Sequence, residues 1–340
     1  MEATITPSLD EWKSLYSAAV EFRNIAPWQW MSDDMVFGVR NPETGETGYC
    51  SVLGALGEVF ALNVYVGVRG LATYLDLALG SVDPSSLDVM YSQECLHASF
   101  EDRSELDERD HKVIKQLGLK FKGKSQWPMF RDYRPGYLPW YITSQQARFL
   151  THALREAGGV ALRLKANSDL LPKENNVFLV RAYEKDGGWT DKSLPADLPS
   201  PPVQMTSIPD EKALSRVKRI GVSKNTLWEV DLNFSPTVIQ ESPLQRPFYP
   251  MALVCMDSSG LAVGHHLFSH QVDPQEFQKR VLGVFQKTDI IPERVLIKRE
   301  EVWALLTPIA SSLGITIEMV DDLPAVNEFQ EHLFSFLNRQ

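Results

Sequence analysis

Three groups of residues in this chain have the types and spacing from which chemistry is made. His265, His266 and His270 fall within six positions, and imidazoles are common ligands of zinc and copper. On an extended strand His266 and His270 would share a face about 13 Å apart while His265 points away, so one ion does not bridge them and the spacing predicts surface or half-buried histidines. Cys95, His97 and His111, with Glu94, Asp107 and Asp110 nearby, hold the types for a thiolate–imidazole pair or a metal site. Placed on a helix, Cys95 and His97 diverge, which predicts a buried cysteine and solvated histidines, with His111 left to fold back. Residues 119–141 carry Lys120, Lys122, Lys124, Arg131 and Arg134 against Asp132 alone, interleaved with seven aromatics that include Trp127 and Trp140. Cations that track phosphates beside rings that stack bases suit single-stranded nucleic acid, and rings with prolines suit a protein or peptide partner. An internal explanation comes first: residues 82–118 hold 4 basic and 9 acidic side chains, and residues 119–165 hold 9 and 2. The two stretches can therefore neutralise each other, with the rings in the core.

The elements that must position these groups follow from length and pattern. At 340 residues the chain exceeds what one core usually organises, which predicts two domains. With 44% hydrophobic, 10% aromatic and 23% charged residues it has a globular composition. A net charge of −10, spread as 21 basic against 27 acidic residues in 1–208 and 13 against 17 in 209–340, argues against coating nucleic acid nonspecifically. Cys50, Cys95 and Cys255 are odd in number and scattered, which predicts a reducing, cytoplasmic setting and no disulfide framework or zinc ribbon. The start, MEATITPSLDEW, does not read as a signal peptide. The most apolar run, Val59 to Val68, is about half a bilayer's length, so no membrane partner is expected. Five prolines in Ser193–Pro209 predict a semi-rigid linker at 193–209, between an α+β domain at 1–192 and a second domain at 210–340.

In the first domain an amphipathic helix, Leu9 to Phe22, precedes an antiparallel meander of Met35–Arg40, Tyr49–Leu53 and Val59–Val66. Helical periodicity then runs from Leu71 to Leu79 and in pieces to Leu117, followed by a helix near Ser144–Glu156 and a strand at Val177–Tyr183. The second domain reads β-β-β-α-β-α-β-α. Its best-marked start has Asp273 as N-cap, Pro274 first and Glu276 third. Phosphate-loop, dinucleotide, nucleophile-elbow, His-Glu-x-x-His and paired Cys-x-x-Cys motifs are absent from the sequence, which removes most of the prior for nucleotide hydrolysis, dehydrogenase and serine hydrolase chemistry.

Three antiparallel strands followed by alternating helices and strands, over roughly residues 226–337, resemble the ribonuclease H-like fold of integrase and transposase catalytic cores, an α/β architecture. The quotable pieces are Leu227-Trp228-Glu229-Val230-Asp231, Val254-Cys255-Met256-Asp257, Ile291 through Ile297, and Leu313-Gly314-Ile315 running on to Glu328. The whole chain is also similar to an uncharacterised bacterial two-domain family of unknown function, through Phe37 to Gly45 and Trp127-Pro128-Met129-Phe130-Arg131. The first resemblance implies three carboxylates holding two Mg²⁺ or Mn²⁺ ions. Asp231 matches the first position, but Lys298 stands at the second, where a cation needs an oxygen. Glu300 or Glu301 would have to reach back, and Glu328 is the better third ligand than Glu331. The resulting expectation is a noncatalytic binding or interaction protein with a degenerate ribonuclease H-like domain and no cofactor. The alternatives are a divergent Mg²⁺-dependent nuclease built on Asp231, Glu300 and Glu328, and a single-stranded nucleic-acid binder through residues 119–141.

Overall fold

Helix α1 (Leu9–Ile25) starts where Ser8 and Glu11 cap each other reciprocally: the Glu11 N–H donates to the Ser8 hydroxyl at 3.3 Å and the Ser8 N–H donates to the Glu11 carboxylate at 2.7 Å. The computed structural model describes residues 5–78, 93–184, 187–196, 210–269 and 272–337. The chain divides into two units, the first running to Ser200 without Gly136–Leu138, and the second made of those three residues and everything from Pro201 onward. Both units are α+β, each with one mixed sheet, and the described residues contain eight α-helices.

In the first unit β1 (Phe37–Arg40), β2 (Thr47–Leu53), β3 (Ala61–Val66), β4 (Cys95–Glu101) and β5 (Trp127–Tyr133) form an antiparallel meander. Strand β6 (Val177–Glu184) joins β1 in parallel and β7 (Gly188–Pro195) closes the far edge, giving the order β5-β4-β3-β2-β1-β6-β7. Period-two alternation sends Leu62 and Val64 of β3, and Leu96, Ala98 and Phe100 of β4, into one core with α1 and α4 (Ser144–Ala166). Tyr49, Tyr65 and Cys95 pack on the opposite side with Leu71 of α2 (Gly67–Ala78). A fourth helix, α3 (Glu108–Gln116), follows a short 3₁₀ turn after β4. Gly48 lets α4 lie almost on the backbone of β2, since a Cβ there would sit 2.5 Å from Val64 Cγ1 and 2.7 Å from Phe149 Cζ.

Three sequence expectations change here. Cys95–Glu101 is a strand, not a helical piece, because its apolar residues alternate and pair with β3 and β5. Trp127–Tyr133, in a Pro- and aromatic-rich segment to which the sequence assigned no element, is the edge strand β5. Ser193 to Pro195, assigned to the linker, still belong to β7, where proline ends an outer strand and its missing N–H costs no ladder bond. Residues 79–92 and 197–209, which include part of the predicted helical stretch and most of the proline run, lie outside the described residues.

The second unit opens with α5 (Glu211–Val217), followed by β8 (Val222–Phe234), β9 (Met251–Asp257), β10 (Ala262–Leu267), α6 (Pro274–Thr288), β11 (Ile291–Ile297), α7 (Glu300–Leu313), β12 (Thr316–Met319) and α8 (Pro324–Leu337). The sheet order is β10-β9-β8-β11-β12, with β9 antiparallel to both its neighbours and β11 parallel to β8 and β12. Asp257 organises the β9–β10 turn by accepting the N–H groups of Ser259 at 2.8 Å and Leu261 at 3.1 Å, while Gly260 supplies φ of 80°. Asp273 caps α6 by accepting the Gln275 and Glu276 N–H groups at 2.8 and 2.9 Å, with Pro274 at the first helical position. Along β8, Trp228, Val230 and Leu232 enter the core with α6 and α7. Glu229, Asp231 and Asn233 therefore take the other side of the sheet, where Val326 of α8 packs with Val254 and Met256. No helix among the described residues is long and apolar enough to cross a membrane.

Candidate functional site

Asp231 lies on the central strand β8, paired with Val254 of β9, and only 4% of it is exposed. Burying a carboxylate this deeply requires a charged partner, and the partner is Arg299, whose Nε donates to Asp231 Oδ1 at 2.9 Å. Asn233, two residues along the same face, donates from Nδ2 to Oδ2 at 3.5 Å, the weak limit of a hydrogen bond. Arg299 is the N-cap residue of α7, with extended backbone and no capping bond from its side chain. A guanidinium at a helix N-terminus opposes the helix dipole, and the bond to Asp231 offsets that cost. Much of Glu301, in the first turn of α7, is exposed. Its carboxyl is nevertheless pushed above the ordinary range, by desolvation first, with the Arg299 charge opposing and the Asp231 charge adding to the shift.

The other predicted acids fall elsewhere. Glu300 and Glu328 are exposed, on α7 and α8, as is Glu331. Among the described residues no three His, Cys, Asp or Glu side chains are grouped so as to hold a metal ion, so Asp231, Glu300 and Glu328 are not gathered into one. Lys298, which stands at the second ligand position of the resemblance, is exposed. The cation on Asp231 is the next residue, because β11 ends at Ile297 and strand alternation stops governing where side chains point. Glu229 is a role that sequence reasoning missed: its Oε2 accepts the Val326 N–H at 3.0 Å, so a carboxylate on β8 satisfies the amino-terminal turn of α8. Arg299 was missed too, although an arginine where Ser, Asp or Asn usually caps a helix was a sign that it answers to another group.

The basic, aromatic segment is split between interior and surface. Arg131 is 8% exposed and its guanidinium pairs with Asp110 at 2.6 Å and Asp107 at 3.2 Å. Burial opposes the ionised form of Asp107, but the Tyr141 hydroxyl, which donates to it, the Asp110 and Arg109 N–H groups and the Arg131 charge together hold its carboxyl below the usual range. Arg134 pairs with Asp132 at 2.8 Å. Trp127 packs against the main core and meets Phe121 edge-on, and Trp140 lies beside the Arg109 guanidinium. Lys120, Lys122 and Lys124 are exposed. The acidic stretch thus reaches the basic one through α3, whose N-cap is Asp107.

Cys95 and His97, now on a strand, share a face as residues two apart. The Cys95 thiol is buried and pushed up by desolvation, with Asp132 and Glu94 adding to it. His97 Nδ1 lies 2.6 Å from Asn63 Oδ1 and its ring meets Tyr133 edge-on. It is not solvated as expected: desolvation, and then the Arg131 charge, lower its pKa to about 4. His111 packs edge-on against Trp127 instead of folding back to Cys95. His266 is 3.7 Å from Glu276, His265 packs against Phe329, and His270 lies outside the described residues.

The fold and these contacts define a two-unit α+β protein whose most deeply placed acid in the second unit is held in an ion pair. Residues 12–181, half of the chain, match the family described as domain of unknown function DUF7309, and the chain belongs to that family. Residues 213–334 match a second domain of unknown function, DUF6930. No curated protein matches the chain.

Proposed function

We propose that this chain is a noncatalytic binding or interaction protein whose second unit keeps a ribonuclease H-like architecture with its acidic position closed. The architectural part is supported by the strand order β10-β9-β8-β11-β12, with two antiparallel neighbours on one side of β8 and two parallel strands on the other. The functional part rests on one observation: the strand acid that the resemblance makes a metal ligand, Asp231, is 5% exposed at its side chain and bonded to Arg299 at 2.9 Å. A guanidinium there occupies an oxygen that a divalent cation would need, and expelling it would strand a charge. The test incubates the full chain with Mg²⁺ or Mn²⁺ and end-labelled single- and double-stranded DNA and RNA, beside Asp231→Asn. Equal background in the two proteins is expected. Metal-dependent cleavage that disappears in Asp231→Asn overturns the proposal.

A further inference from the structure

A cleft of about 550 Å³ opens at one end of the first unit's sheet, where β2 and β4 begin, β3 and β5 end, and the first turns of α4 lean over. Antiparallel pairing brings those four strand ends together, and the volume lies in the range of small-molecule sites. The walls carry both signs of charge. Arg69 pairs with Glu94 at 3.0 Å and Arg134 pairs with Asp132 at 2.8 Å, and the carboxylate side chains are only 22% and 8% exposed. Glu46 adds a third carboxylate, and the half-buried Val66 and Val68 supply an apolar surface.

This pairing restricts the ligand. A simple anion that took either guanidinium would leave a carboxylate only 22% or 8% exposed without its cation, which is costly, whereas Arg69 and Arg134, 84% and 55% exposed, are free to turn from the acids to a ligand carboxylate. A molecule that brings an ammonium and a carboxylate together can engage the pair at both ends and leave no charge unmatched. Desolvation already holds the Glu94 carboxyl above its usual range against the pull of Arg69, so a ligand ammonium would also relieve that carboxylate. We propose that the cleft binds a small zwitterion of the free amino acid class, with ammonium toward the Glu94, Asp132 and Glu46 carboxylates, carboxylate toward Arg69 and Arg134, and side chain against Val66 and Val68. The site lies wholly in the first unit and stands whether or not the second unit is catalytic.

The test screens the twenty common L-amino acids against the full chain by thermal shift. Hits are measured by calorimetry, together with their N-acetyl and methyl-ester forms. At least one free amino acid should bind, both blocked forms should lose tenfold or more, and Arg134→Gln and Glu94→Gln should each lose about as much. Arg163→Gln, which breaks the distant pair with Asp191 at 2.5 Å, should bind like the parent. Absence of any binder, a blocked form that binds as tightly as the free amino acid, or affinity unchanged in both Arg134→Gln and Glu94→Gln overturns the proposal. Melting curves of the variants identify any that fail to fold, and in that case the blocked ligands, read on the parent chain, decide.

Discussion

Replacing Arg299 by methionine removes the charge that permits Asp231 to be buried. The side chain of Asp231 is 5% exposed and that of Arg299 is 31% exposed, so the pair is largely closed to water on the carboxylate side and partly open on the other. After the substitution Asn233 Nδ2 still lies 3.5 Å from the Asp231 carboxylate, too long to replace a charge-assisted bond. Stripping one partner from a fully buried pair costs roughly 3–5 kcal/mol, and the partial exposure of Arg299 brings the expected loss to about 2–3 kcal/mol. Asp231→Asn/Arg299→Met, which removes both charges, should recover about half of that, giving a coupling of roughly 1–2 kcal/mol in the double-mutant cycle. Urea denaturation of the full chain, with hydrogen exchange followed on β8 and β11 to assign the loss to the second unit, measures both quantities. A loss below about 0.5 kcal/mol for Arg299→Met, the scale of an ordinary surface change, or a coupling near zero, would refute the claim that the pair closes this site.

The Arg131 cluster gives a parallel expectation in the first unit: Arg131→Met leaves Asp110, 11% exposed at its side chain, without its cation and should cost about 3 kcal/mol. Arg131→Lys should restore only part of this, because one ammonium cannot reproduce the bonds to both Asp110 oxygens; urea midpoints check both variants. His97 has a folded pKa of about 4 against an ordinary 6.5, so the unfolded chain binds its proton more readily. Its contribution is present above pH 6.5 and is lost as pH falls toward 4, by about 3 kcal/mol in full. The stability–pH slope between pH 7 and 4.5 should therefore flatten in His97→Gln, and an unchanged slope contradicts it. Gly48→Ala places a Cβ 2.5 Å from Val64 and should cost about 1–3 kcal/mol by overpacking, read as a lower thermal midpoint of the first unit.

Much of the architecture was legible locally. Asp273-Pro274 before an amphipathic run specified the start of α6, Asp257-Ser258-Ser259-Gly260 specified the β9–β10 turn, and alternating runs marked β1 to β3, because caps, turns and period-two patterns are short-range physics. Strand β4 was misread because Leu96, Ala98 and Phe100 give only three apolar positions, and their preference for a strand comes from pairing with β3 and β5. Charge bookkeeping along the chain correctly placed an acidic stretch before a basic one. Only the packing of α3 against β5 decided that Arg131 meets Asp107 and Asp110 inside the protein while Lys120, Lys122 and Lys124 stay in water. The same holds at Asp231: the sequence by itself set a carboxylate near the end of a central strand with basic residues following β11. Which of those bases reaches it was decided by where β11 stops and α7 begins, since a side chain beyond the last paired residue is aimed by the turn and no longer by the pleat.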